Sequence, residues 1–539
     1  MEEKGFLLIV LHTHMPFVRH PEGDHASEEA WLFEGLVECY LPLLETFEKL
    51  AADGVPFRIT VSLTPPLLEM WSDSLLQERF SSYLVDHVKL CEREAERVAA
   101  APRARRLARM YRDRFARSED LFFGRWHGDL AAAFRRLAEA GHLEVLASAA
   151  THAYLPLWQL YPEAVELQIR TGVRRYEQAF GKPPSGFWLP ECGFYPGLDS
   201  LLWEAGLAYV FLDSHGVLHS TPRPRRGLHA PVHCPSGLAA FGREDFCHHL
   251  VWQKEGGYPG DAAYLDHDKD IGYELPLEDL RPFTHCGHRV PTGLRYLRLG
   301  ASHPTDHYDP DLAFERCTSH ADHFVAACQG HVEEIHRVEG RKPVLVALFD
   351  TEHFGHWWHE GPTWLALALR RLASGMQPVR LATATEYLET FPTHQVVEPH
   401  LSSWGYQGYS ETWLMGSNHW FLPIVFKALD DLRGIDSNAT RCADTAQTAL
   451  EQAAFNQALR ELMLAQSSDW AFILHTQTDV PYASHRLRSH VGNLTNLVAQ
   501  LKSGALDPSW LATMEQRHNI FRGMDLSGLY REIRERNGI

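Results

Sequence analysis

The sequence predicts an α/β protein built around a parallel, barrel-like domain, and three observations carry that prediction. Seven short apolar, β-branched runs fall between residues 6 and 384. Helical patterns lie between many of them, which implies parallel pairing through right-handed crossovers. Five of the runs end in His, Asp or Glu, and in parallel barrels the loops at the strand C-termini converge on the active site.

Taken in order, "FLLIVL" (6–11) leads into His12-Thr13-His14, and "FRITVSL" (57–63) follows. "LEVLAS" (143–148) runs on to His152, "GFWL" (186–189) into Pro190-Glu191, and "AYVFL" (208–212) into Asp213. "VLVALF" (344–349) ends at Asp350, and "VRLATA" (379–384) completes the set. Residues 68–135 lack strand patterns and read as a helical insertion. The stretch "SHGVLHSTPRPRRGLHAPVHCPSG" (214–237) is rich in Pro, Gly and Arg, and reads as a loop over the site without elements of its own. After residue 395 the pattern turns helical, most clearly at 443–466 and 483–535. The expected organisation is a barrel over 1–395, with a helical insertion at about 68–135 and a lid loop at about 214–242. A C-terminal helical domain is expected over 396–539.

Composition narrows the function. The chain has 539 residues, 51 Lys plus Arg and 69 Asp plus Glu, for a formal charge of −18. That balance excludes nucleic acid as the main partner, because phosphate binding needs a basic face. The eight arginines of "RVAAAPRARRLARMYRDRFAR" (97–117) read as a solvated helical face. Nine cysteines with no CxxC pair read as reduced thiols. "FLLIVL" is too short for a signal-peptide core, and nothing approaches the ~20 apolar residues of a membrane span. The expectation is a soluble, cytoplasmic protein.

The chemistry concentrates in "ALFDTEHFGHWWHEG" (347–361), with its three histidines, two tryptophans and Asp350. One reading is a metal centre, in which His12-x-His14 supplies ligands. A catalytic zinc needs three ligands and an open position, and here no HExxH is present and the third ligand is undefined. The other reading pairs Asp350 with Glu191. Glycosidic-bond chemistry needs two carboxyl groups flanking the bond, and carboxyls at apolar strand ends acquire the raised pKa of an acid. The paired carboxyls are the stronger reading.

The motifs "HTHMPFVRHPE" (12–22), "GHLEVLASAATHAYLP" (141–156), "GFWLPECGF" (186–194), "LFDTEHFGHWWHEG" (348–361) and "TATEYLE" (383–389) resemble, in order, the five characteristic regions of glycoside hydrolase family 57. "GYPGD" (257–261), "SSWGYQGYSETWL" (402–414) and "AQSSDWAFIL" (465–474) resemble its α-glucan branching-enzyme branch. The resemblance implies a distorted (β/α)7 barrel, an inserted helical domain and a C-terminal helical domain. It implies retaining chemistry on α-1,4-glucan with no metal or organic cofactor. Glu191 then maps to the nucleophile and Asp350 to the general acid/base. His12, His14 and His152 map to hydroxyl-binding residues. Trp188, Trp357, Trp404 and Trp413 become aromatic walls, and Asp469 and Trp470 reach the cleft from the C-terminal domain. Arg243, Trp252, Asp261 and His353 complete the expected substrate contacts.

One stretch departs from the family. Where the branching branch carries a lid tyrosine, "PRPRRG" (222–227) places Arg226, and His229 replaces a further aromatic. A more hydrated arginine lid would favour water as acceptor. The alternative to branching is therefore a mainly hydrolytic, amylase-like enzyme, or a 4-α-glucanotransferase. A metal-dependent barrel hydrolase and a glucan-binding protein with a dead site are the remaining competitors.

Overall fold

The computed structural model describes residues 2–23, 27–375, 378–435 and 446–538. Nine strands form one sheet: β1 (Gly5–Thr13), β2 (Ile59–Leu63), β3 (Leu143–Ser148), β4 (Gly186–Trp188), β5 (Tyr209–Leu212), β6 (Val232–His233), β7 (Ala239–Gly242), β8 (Val344–Asp350) and β9 (Val379–Leu381). Their order is β6-β7-β5-β4-β3-β2-β1-β8, and β9 pairs with the first residues of β1. Every pairing is parallel except β6 with β7. The ends of the path approach without a ladder, through backbone bonds from Glu244 N to Val346 O (2.8 Å) and from Val344 N to His229 O (3.0 Å). The sheet is thus a curled, incomplete barrel.

The strands read as continuous apolar runs because both their faces are covered. Along β1, Phe6, Leu8 and Val10 belong to the barrel interior, whereas Leu7, Ile9 and Leu11 pack outward against helices. In β8, Val344, Val346 and Leu348 point inward. This is the two-residue alternation of an extended chain. The helix Ala384–Thr390 closes the floor of the barrel. Thr383 and Glu386 form its capping box, and Tyr387 meets Phe6 edge-on at 5.3 Å.

All seven apolar runs are strands. The expectation for 214–242 fails. That stretch holds the helix Ser214–Leu218, β6 and β7, and β7 is a full member of the parallel sheet beside β5. None of its residues lines the main cavity. His229 O accepts from Val344 N at the start of β8 (3.0 Å), its Nδ1 meets Glu339 (2.9 Å), and Arg226 sits in the electrostatic field of Tyr387 and His394. These groups surround the floor of the barrel, at the end away from the strand C-termini. Arg226 and His229 therefore do not cover the site. "VHCPSGLAAFG" hid two strands because Pro, Gly and Ala carry weak strand signals.

Helices Ser74–Arg97, Pro102–Glu119 and Leu130–Glu139 occupy the stretch between β2 and β3. Asp73 caps the first by accepting from Leu75 N and Leu76 N, and Pro102 starts the second. A 30-residue helix, Pro310–Glu339, packs on the helix Gly361–Leu372 and against β1 and β9, and is the largest element that the sequence reading did not mark. Residues 397–421 form a strap across the strand C-termini, joined by bridges at Phe194–Ser402 and Thr221–Glu398. Among the described residues six helices follow, from Leu422–Arg433 to Leu526–Asn537. The helix expected over 443–466 begins at Ala446, and its first three residues lie outside the described ones.

Candidate active site

The inward alternation of each strand carries past its apolar residues into polar ones. After Phe6, Leu8 and Val10 comes His12; after Val344, Val346 and Leu348 comes Asp350. His12 and Asp350 are register partners in the β1–β8 ladder. In β2 the inward positions are Thr60 and Ser62, and Ser62 is the register partner of His12 on the other side. Trp188 ends β4, and Arg243 follows β7. The upper interior of the barrel is polar because the same parity that fills its floor continues beyond the apolar runs.

Glu191 stands in the short turn after β4 with φ +61°, and Cys192 follows at +50°. Left-handed backbone at non-glycine residues costs about 1–3 kcal/mol each and collects at functional sites. Two donors fix the carboxylate: Trp404 Nε1 to Oε2 (2.6 Å) and Ser468 Oγ to Oε1 (2.8 Å). Trp404 N also donates to the Glu191 carbonyl (2.9 Å). The strap and the C-terminal helix Ser468–Thr476 therefore hold a barrel residue from two directions. Burial pushes the carboxyl above its usual range, against the pull of these two bonds.

Behind Ser468 the donors fall into one order. Ser468 donates to Glu191, so its oxygen accepts from His152 Nδ1–H (2.9 Å). His152 Nε2 then accepts from His12 Nε2–H (2.9 Å), and His12 Nδ1 accepts from the Ser62 hydroxyl (2.6 Å). Both rings must be neutral for this chain. Burial first, and then neighbouring histidines, hold both well below the usual histidine range. His12 also stacks on Trp188 at 4.4 Å. His14 leaves the chain: its Nδ1 meets Thr64 (3.0 Å) and its Nε2 meets both oxygens of Asp469 (3.1 Å). The nitrogens of His12 and His14 thus serve different partners and do not converge as an HxH chelate.

Asp350 is the opposite case. Among the described residues no hydrogen-bond donor reaches its carboxyl. Burial, then the charges of Glu352 and Glu191, push it well above the usual carboxylate range, with only Arg243 opposing. Glu352 is fixed by the Tyr40 hydroxyl (2.7 Å) and by His14 N (3.2 Å). Arg243 is anchored on Asp213 (2.9 Å).

Both carboxyls face one cavity of about 710 Å³. Its lining includes His12, His14, His152, Arg243, Trp252, Trp357, Trp404, Trp413 and Asp469 from the expected set. Four expected residues do not line it. Trp188 is buried beneath His12. His353 gives its Nε2 to the Val251 carbonyl (2.8 Å) and stacks on Trp252. Trp470 is buried and donates to Leu464 O (2.7 Å). Asp261 lies at a separate surface site, 3.3 Å from Arg316.

The description "Glycosyl hydrolase family 57" matches residues 8–245, and "1,4-alpha-glucan branching enzyme, C-terminal" matches residues 434–528. A 1,4-α-glucan branching enzyme of Thermococcus kodakarensis is 32% identical over 96% of this chain and 78% of its own length. The chain belongs to glycosyl hydrolase family 57. Among solved family 57 relatives, the branching enzyme of Pyrococcus horikoshii superposes with a TM-score of 0.86 at 31% identity, covering 97% of this chain and 96% of that one. The α-amylase AmyC of Thermotoga maritima superposes with a TM-score of 0.89 at 37% identity, covering 98% and 99%.

Several residues of this family 57 site escaped the sequence reading. Ser468, Glu352, Tyr406 and Glu34 all bear on the carboxyls or the cavity. Glu352 stood inside a motif already singled out, and Ser468 sat beside Asp469. Glu34 gave no local signal.

Proposed function

We propose that the protein is a 1,4-α-glucan branching enzyme in which Glu191 is the nucleophile and Asp350 the general acid/base. The observation that carries the assignment is the asymmetry of the two carboxyls. Burial raises both, but Glu191 accepts two hydrogen bonds that pull it back toward its ionised form, while Asp350 has none and is pushed further up by the charges of Glu352 and Glu191. Carboxyls whose surroundings drive them apart in this way divide into base and acid.

In the first step Glu191 attacks the anomeric carbon, the bond to the leaving O4 breaks, and Asp350 gives O4 its proton. A covalent glycosyl-enzyme results. In the second step the 6-hydroxyl of another glucan segment attacks the same carbon, Asp350 takes its proton, and Glu191 leaves. Configuration is retained through two inversions. The aromatic walls Trp252, Trp357, Trp404 and Trp413 suit the apolar faces of glucose rings. His14 and Asp469 offer polar groups to sugar hydroxyls from opposite sides of the domain junction.

Transfer is favoured over hydrolysis on two grounds. Relatives named as branching enzymes align over nearly the whole chain, and the arginine loop that argued for a wetter site lies at the barrel floor. A place in glycogen synthesis follows from the activity, and the eight free cysteines among the described residues suit a reducing cytoplasm. Incubation with amylose tests the reading. Branching predicts α-1,6 linkages, seen by NMR, accumulating well ahead of new reducing ends. Reducing ends that rise with every cleavage, and no α-1,6 signal, would refute it.

A further inference from the structure

Apart from Asp350, Glu34 is the one carboxyl lining the cavity, among the described residues, that no protein donor reaches. It sits in the helix Glu29–Gly35, immediately before a π-helical turn over Leu36–Tyr40. It is 5% exposed, it lines the cavity, and its Oε1 is buried without a hydrogen-bond partner. Its neighbours are all provided for. Glu38 is bound by Arg295 (2.8 Å) and His356 (2.5 Å). Asp270 accepts from Gly272 N, Thr292 N, the Thr292 hydroxyl and Gly293 N, at 2.8–2.9 Å. Glu352 has Tyr40 and His14 N.

The surroundings are rigid. Gly355, at φ +119°, lets the loop after Asp350 approach so closely that a Cβ there would lie 1.9 Å from the Glu38 carbonyl. That loop carries His356 and Trp357 onto the wall that Glu34 shares. A buried carboxyl with no partner costs stability, and a leucine would fill the same space at less cost. Unserved polar groups in native proteins mark places where another molecule supplies the partner.

We propose that Glu34 binds a glucose hydroxyl of the glucan chain lying along the wall that follows Asp350. The proposal rests on the glucan-active reading above. Burial, with Glu38 and Asp270 adding and with His356 and Arg295 opposing, raises the Glu34 carboxyl to about 8. Tyr83 and Tyr273 are the remaining titratable groups that face it, and both stay neutral because burial raises them. Near neutral pH Glu34 is therefore a neutral carboxyl, able to donate one hydrogen bond and accept others, and it becomes an isolated anion only in alkali. The sign for stability follows. A carboxyl raised on folding contributes most below its unfolded value and loses that contribution as pH climbs through about 8.

The test is maltoheptaose affinity, read by tryptophan fluorescence in the Glu191→Gln background, for three forms: Glu34, Glu34→Gln and Glu34→Leu. Leucine is expected to weaken Kd by about 5–10-fold, the loss of one neutral hydrogen bond, while Tm holds or rises. Glutamine is expected to keep Kd within about 2-fold at neutral pH and to abolish the change in Kd that ionisation of Glu34 is expected to cause as pH passes about 8. That conservative rescue is a signature that a packing role would not give. Unchanged Kd in the leucine variant, or parallel pH profiles for Glu34 and Glu34→Gln, would overturn the proposal. A wild-type protein that binds maltoheptaose but forms no α-1,6 linkages would refute the branching reading, and the affinity comparison would still decide Glu34.

Discussion

Glu191 and Asp350 reach the same cavity from strands four places apart in the sheet, β4 and β8, and they are held in opposite ways. Glu191 is strapped: a strained turn, an indole and a serine hydroxyl fix its oxygens. Asp350 is bare, and its neighbours are mostly like charges at the end of a buried strand. A nucleophile needs a fixed, ionised oxygen, whereas an acid/base must release and recover a proton during the cycle. On the proposed assignment, the contrast teaches that two carboxyls take different roles less by residue type than by what each is given to bind.

The comparison can be broken at its ends or sharpened along its supports. Glu191→Gln is expected to lower kcat on amylose by about 10⁴-fold or more. Asp350→Asn is expected to cost about 10²–10⁴-fold on amylose, and far less on α-maltosyl fluoride, whose leaving group needs no proton. Equal losses on both substrates would remove the acid role. Next come the supports of Glu191. Trp404→Phe removes a bond to a charged group and should cost about 10–100-fold in kcat. Ser468→Ala cuts the same carboxylate from the histidine chain and should fall in that range as well.

Smaller effects should appear in the pH profile. The alkaline limb belongs to deprotonation of the acid, within a coupled pair. Glu352→Gln removes a charge that raises Asp350, so the limb should move down by about one pH unit. Arg243→Met removes the opposing charge, so the limb should move up. Movement in the same direction for both variants would contradict the electrostatic account. The smallest expected effect is none: Arg226→Tyr should leave the ratio of branching to hydrolysis unchanged, because that side chain sits at the barrel floor.

Much of this contrast was legible in the sequence. Seven strands announced themselves because parallel strands, buried on both faces, become unbroken apolar runs. Glu191 and Asp350 were legible as the first polar residues after two of those runs. What stayed hidden was pairing at long range. Nothing near Glu191 indicates that Ser468, 277 residues away, holds it, or that Glu352 meets Tyr40 across 312. The histidines of 353–359 looked catalytic by density alone, yet His353 serves a backbone carbonyl and His356 pairs with Glu38. Strand β7 was missed because "AAFG" has neither length nor branching to mark it.

The central claim is that Glu191 forms the covalent bond to sugar and that Asp350 manages the proton. Asp350→Asn treated with α-maltosyl fluoride tests it most directly. Glycosylation proceeds without an acid, and the missing base slows release, so the intermediate accumulates. Peptide mass spectrometry is predicted to find one maltosyl unit on Glu191. A sugar attached elsewhere, or release of the inverted anomer with no adduct at any time, would contradict the account.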